Sequence, residues 1–201
     1  MATTHKLTKL QAVNIVLSNV GQAPLTSLDS ANPMAALAEG MIDEVSHSLQ
    51  SEGWVFNTEQ DYPFSPDNNG DIFIPDNVLS LDAVEWANFE PIIRSGRLYD
   101  KRNHTYTFTK TVYCKVVWYF DFVDLPEVFK QYISIRAANL FAGRAVGSTE
   151  VVKYSEKEET LARAAVMEYE TQQGDYNFFN DPAGGKEFHT YLPYNAINRR
   201  F

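Results

Sequence analysis

The sequence predicts an α+β fold: a bundle of about four helices, a small antiparallel β unit inserted between the second and third, and an extended aromatic C-terminal tail. Three observations carry that expectation. Apolar residues recur at helical spacing before residue 50 and again after residue 125, while between them the period shortens to β-type runs separated by turn residues. The change falls within Gln50-Ser51-Glu52-Gly53-Trp54-Val55-Phe56-Asn57-Thr58-Glu59, where a helix meets a glycine and then aromatic residues. Beyond Gly174, Pro182, Gly184, Gly185 and Pro193 resist regular structure, yet Tyr176, Phe178, Phe179, Phe188, Tyr191, Tyr194 and Phe201 give the segment far more aromatic surface than a disordered tail carries. The helical body then comprises 1–52 and 125–174, the β unit 53–124 and the tail 175–201.

Each element has a local reason. Thr8-Lys9-Leu10-Gln11 is a capping box, and Leu10, Val13, Leu17 and Val20 follow at helical spacing until Gly21 and Pro24. Ala12, Ile15 and Val16 widen the stripe, so this helix is expected to be buried on more than one side. Asn32-Pro33 opens the second helix as cap and first helical residue. Met34, Ala38, Met41, Val45 and Leu49 form its inner face, with Glu39, Asp43, His47 and Gln50 on a solvated face. Gly53 is expected to stop the helix in a left-handed conformation, with an aromatic strand starting at once at Trp54 and Phe56 to pin the sheet to the bundle.

Strand-like runs follow at 72–74, 79–84, 92–94, 97–99, 106–108 and 112–120, and Ser95-Gly96 reads as a two-residue hairpin turn. Residues 112–120 are apolar on both faces, as in a central or doubly covered strand. Asp124-Leu125-Pro126-Glu127 restarts a helix, with Asp124 as its cap and Phe129, Tyr132, Ile133, Arg136, Ala137 and Leu140 as its stripe, ending near Gly143 and Gly147. A fourth helix spans about 149–173, with Tyr154, Leu161, Ala165 and Tyr169 inward and an acidic early stretch, Glu156, Glu158 and Glu159.

Composition narrows the function. The 201 residues carry 26 acidic and 17 basic side chains, a net charge of −9 that opposes a surface gripping phosphates. Acidic charge is compatible with lining a conduit through which DNA slides without sticking. The one cysteine, Cys114, permits no intrachain disulfide and reads as a buried structural thiol. No apolar run approaches the span of a bilayer and no apolar signal core opens the chain, so a soluble protein made in a cytoplasm is expected, with no membrane partner.

Motifs for chemistry are missing. Gly184-Gly185-Lys186 lacks the rest of a phosphate-binding loop, and 67–71 lacks the calcium ligand ladder. His5, His47, His104 and His189 have no zinc spacing. No metal, cofactor or catalytic residue is expected. The alternative is a glycan-hydrolysing enzyme acting on polysaccharide with paired carboxylates, Asp82 with Glu85 or Asp121 with Asp124, beside aromatic platforms such as Trp86 and Phe89. Those acids read more simply as turn and cap residues.

Four stretches together resemble a known family. They are 12–25, Ala-Val-Asn-Ile-Val-Leu-Ser-Asn-Val-Gly-Gln-Ala-Pro-Leu; the junction 50–59; Leu125-Pro126-Glu127-Val128-Phe129; and Met167-Glu168-Tyr169-Glu170 followed by Gly174-Asp175-Tyr176-Asn177. In this order, over roughly residues 10–180, the chain resembles the tail tubular A proteins of T7-like short-tailed bacteriophages (podoviruses), the head-to-tail adaptors or gatekeepers. The resemblance implies a virion tail protein forming a homo-oligomeric ring of twelve subunits under the portal protein. It also implies that the ring receives the nozzle protein, tail tubular protein B, with tail fibres attached near that junction and DNA ejected through the middle. In such a ring Glu156, Glu158 and Glu159 are expected to face the lumen. Tyr176, Phe178, Phe179, Tyr191, Tyr194 and Phe201 are expected to dock partners.

Overall fold

Thr8 opens the first helix as its residue type requires: its hydroxyl accepts from the Gln11 N–H and the Gln11 side chain accepts from the Thr8 N–H. That helix, α1, is Lys9–Asn19. The computed structural model describes residues 6–28, 32–84, 88–146 and 149–174. Helix α2 is Pro33–Gln50, with the Asn32 side chain accepting from Met34 and Ala35 N–H. A 3₁₀ turn at Val55–Asn57 leads into β1, Thr58–Phe64. Strands β2 (Val78–Ala83), β3 (Pro91–Arg94), β4 (Arg97–Asp100) and β5 (Val112–Trp118) follow. A second 3₁₀ turn, Phe122–Asp124, precedes α3, Glu127–Phe141. A π-helical segment, Ala142–Val146, then separates α3 from α4, Thr149–Gly174. Helices with small antiparallel sheets make this the α+β fold the sequence predicts.

The three-stranded sheet runs β1-β5-β2, all antiparallel, with β5 central as expected. Its Cys114, Val116 and Trp118 face is buried, while Tyr113 and Lys115 on the opposite face are exposed. Strands β3 and β4 form a separate hairpin turned by Ser95 (φ 52°) and Gly96 (φ 69°), the two positive φ values of a type I′ turn. Two expected strands do not form. Ile72 and Ile74 are buried and Phe73 is exposed, a true alternation, but only Phe73 bridges to β4, at Arg97. Residues 106–108 insert Phe108 into the same core without a strand partner.

Two apolar clusters result. One lies among the helices and includes Val13, Leu17, Ile42, Leu49, Phe129, Ile133 and Val166. The other, built on Phe64, Ile72, Ile74, Leu98, Cys114, Val116 and Trp118, lies on the sheet, and Phe120 packs against both. Burial of each such large side chain stabilises by about 1.5–3 kcal/mol.

Three helix details differ from expectation. Asp124 does not cap α3: its N–H closes a 3₁₀ turn on the Asp121 carbonyl, and Leu125 is extended (φ −68°, ψ 152°). The residue before a proline is pushed out of the helical region, so the helix waits until after Pro126. The inner stripe of α4 is rotated: Val166 is fully buried, with Ala162 and Tyr169 packed beside it, whereas Leu161 is 63% exposed and Ala165 is exposed. Tyr169 sits inward as expected; the Tyr154 side chain lies outside the described residues. Gln50 is not solvated but completely buried, because the chain entering α3 covers that side of α2.

Candidate assembly site: the helix-to-sheet joint

Gly53 adopts φ +75°, and its N–H bonds the Gln50 carbonyl. A Cβ added there would lie 3.3 Å from Val117 Cγ2 on β5. The left-handed helix stop is therefore required twice, by the backbone and by the close approach of the sheet. No strand starts at Trp54. The Asn57 N–H closes a 3₁₀ turn on the Trp54 carbonyl instead, and the Asn57 carboxamide oxygen accepts from the Trp54 N–H at 2.7 Å.

The same carboxamide donates to the Gln50 carbonyl (2.9 Å) and the Trp118 carbonyl (2.8 Å), tying α2 to the end of β5. Gln50 adds a second tie, its Nε2 donating to the Phe120 carbonyl at 2.9 Å and its Oε1 accepting from the Phe120 N–H at 2.8 Å. Two buried amides thus bind helix and sheet with paired donor and acceptor geometry. Trp54 is 4% exposed, its indole donates to the Leu49 carbonyl, and its ring meets Phe129 edge-on at 5.2 Å. Phe56 meets Phe129 at 4.6 Å and Phe120 at 6.3 Å.

Helix α4 clamps this joint from outside. Glu170 accepts from the Val55 N–H at 2.9 Å, the position of an acidic cap on the 3₁₀ turn. Arg163 pairs with Glu52 and lies over the Trp54 ring at 4.8 Å and the Tyr132 ring at 5.5 Å. On the far side, Glu127 accepts from the Leu7 N–H, fixing the chain just before α1 to the start of α3. Lys130, almost wholly buried on α3, donates to the Val123 carbonyl at 2.7 Å. Glu170 and Arg163 meet partners 115 and 111 positions away, and Gln50 and Asn57 meet partners 70 and 61 positions away, so none of the four has a local sequence signal and all were missed for that reason.

The expected acidic stretch does not form one face. Glu159 turns inward, pairing with Arg136 at 2.8 Å and accepting from the Asn139 amide at 2.8 Å. Desolvation opposes charge on Arg136, but the adjacent Tyr132 and Glu159 outweigh it and raise its pKa. Glu156 and Glu158 are exposed. With Glu52, Arg163 and Arg136, Glu156 lines a cleft of about 790 Å³ between α3 and α4, whereas Glu158 lines a separate groove with Ile15 and Ser18.

The carboxylates considered for hydrolysis are not assembled in a cleft. Asp121 and Asp124 are exposed members of one turn, and Asp82 lies exposed on β2 opposite Lys115. Glu85 and Trp86 lie outside the described residues, as do all the aromatic residues expected to dock partners, Tyr176, Phe178, Phe179, Tyr191, Tyr194 and Phe201. Phe89 packs against the sheet core. The Asp67 carboxylate accepts from Asn69 and Asp71 N–H in a closed turn, and Asp71 pairs with Arg97. Among the described residues no cluster of His, Cys, Asp or Glu is arranged to hold a metal ion, and no helix is long and apolar enough to cross a membrane.

Burial, reinforced by the negative charge of Asp82, pushes the Cys114 thiol up to about 11. A thiol-specific reagent at pH 8 is therefore expected to leave Cys114 unmodified in the native protein and to label it fully in denaturant. Rapid native labelling would show that β5 opens.

The model of the family described as tail tubular protein matches residues 10–176. The chain is 26% identical over 163 residues to tail tubular protein A of Klebsiella phage KP34, an alignment that covers 80% of this chain and 86% of that protein. Because the match runs from α1 through α4 and takes in the whole joint, the chain belongs to the tail tubular protein family and is a structural component of a bacteriophage tail.

Proposed function

We propose that this protein is the head-to-tail adaptor of its virion. Twelve copies close into a ring, with the portal protein on one face and the nozzle protein, tail tubular protein B, on the other. Tail fibres attach near the nozzle junction. DNA passes through the middle during ejection without specific binding.

The observation that carries this reading is the state of α4. It packs on α3 by Val166, yet Leu161 and Met167 stay 63% and 49% exposed on its other sides. A helix with apolar residues left over after its own bundle is packed suits a contact between subunits. A ring requires such heterologous surfaces. In this reading residues 1–52 and 125–174 form the body of the ring, 53–124 is a β module carried on it, and Gly53, Trp54 and Phe56 hold the module at a fixed angle. The aromatic residues of 175–201 serve as docking elements for a partner.

Positions 156 and 158 lie about 200° apart around an α-helix, so one helix does not present both to a lumen. Glu156 is assigned to the conduit wall, and Glu159 serves the bundle through Arg136. With net −9 per copy, the ring repels DNA and keeps it sliding.

Sizing the purified chain alone and mixed with its portal tests the reading. Ring-sized assemblies, or co-migration with portal, are expected. A chain that stays monomeric and never joins portal would contradict it.

A further inference from the structure

Basic charge in this acidic chain is concentrated in one place. Six of the 17 Lys and Arg residues, but one of the 26 Asp and Glu residues, fall within 94–115, giving that segment +5 against −14 for the remainder. The β3–β4 hairpin contributes two of these cations, Arg94 and Arg97, each set on an aromatic ring. Arg94 lies over the Tyr99 ring at 4.2 Å, Arg97 over the Tyr106 ring at 4.9 Å, and the two rings are 4.7 Å apart. Beside them Phe73 is 65% exposed. Arg97 is held by Asp71, whereas Arg94, Arg102 and Lys110 have no carboxylate partner among the described residues. Stacked arginine and tyrosine form an interface anchor with little conformational freedom left to lose.

The outward side of α4 has the complementary character. Leu161, Ala164, Ala165 and Glu168 are exposed at spacings of three and four, on one face, and exposed Glu158 lies three residues before Leu161. Neither Glu158 nor Glu168 pairs with a cation among the described residues. Hairpin and helix are different surfaces of the chain, as the two unlike halves of a head-to-tail contact must be.

We propose that the β3–β4 hairpin of one copy docks on the outward face of α4 of the next, Arg94 against Glu168 and the tyrosine frame against Leu161 and its alanines, and that this contact closes the ring. The inference rests on the ring reading above.

Charge reversal in the full chain tests it, with assembly followed by sedimentation and electron microscopy, alone and with portal. R94E is expected to weaken assembly at least about tenfold, and E168R likewise, as loss of an interfacial charge pair does. The combination of the two is expected to regain rings, which a merely misfolded hairpin would not. Rings in both variants at wild-type levels overturn this contact and leave the ring reading standing, as does loss in both without rescue. A wild-type chain that forms no ring in any condition fails the ring reading, and this contact with it. If wild type is retained on duplex DNA, R94E is not, and rings are untouched, the hairpin binds nucleic acid and the proposal is overturned.

Discussion

Replacing Trp54 by alanine is expected to lower the stability of the isolated chain by about 3–5 kcal/mol, the range for a large aromatic removed from a core. Three losses combine. The indole leaves a void beside Phe129, 5.2 Å away, which itself contacts Phe56 and Tyr169. The Leu49 carbonyl, at the end of α2, loses the shorter of its two hydrogen bonds and keeps the Glu52 N–H. Arg163 loses the nearer of the two rings it lies over and keeps Tyr132 and Glu52. At 4% exposure within a single chain, Trp54 is core and not a face kept for a neighbour. The midpoint and slope of urea unfolding measure the change, and a loss below about 1 kcal/mol would mean the joint is packed differently.

The second large effect is expected at Asn57. Asn57→Ala strips a donor from two carbonyls, Trp118 and Gln50 (the latter keeping the Gly53 N–H), and the acceptor from the Trp54 N–H, all within 3 Å of the carboxamide. Each buried polar group left unpaired costs about 1–3 kcal/mol. Because the freed groups are neighbours and share what water enters, the loss is expected near 3 kcal/mol, not the full sum. Asn57→Asp separates donor from acceptor. A carboxylate keeps the bond from Trp54 but faces two carbonyls, so its folded-state pKa rises above the unfolded value. Its stability deficit against wild type is then expected to shrink as pH falls and the protonated carboxyl regains one donor. A pH-independent deficit would show that the two carbonyls do not press on residue 57.

What the sequence disclosed and what it hid divide along the range of the cause. The Thr8–Gln11 box, the Asn32 cap, the Ser95-Gly96 turn and the left-handed Gly53 are set by chemistry within three or four residues, and all stand where the residue types put them. Gln50 misled because helical period places it among polar residues, while the segment through Phe120, seventy positions later, covers it. The α4 stripe misled because Ala162, Ala164 and Ala165 permit several apolar faces, and only packing on α3 selects the one centred on Val166. Asp124 looked like a cap, but Pro126 delays the helix past it. At the joint, Gly53, Trp54 and Phe56 were legible from composition, whereas Asn57 and Glu170 owe their roles to partners far along the chain.

Family membership makes the protein a tail component, and the adaptor ring is the central claim beyond that. Electron microscopy of the purified protein bound to its portal tests it most directly. The predicted image is a closed ring of twelve subunits coaxial with the portal, each with its β module projecting at one fixed angle from the helical body and a central opening wide enough for duplex DNA. Particles that bear portal alone, with this protein free and monomeric beside them, would contradict it.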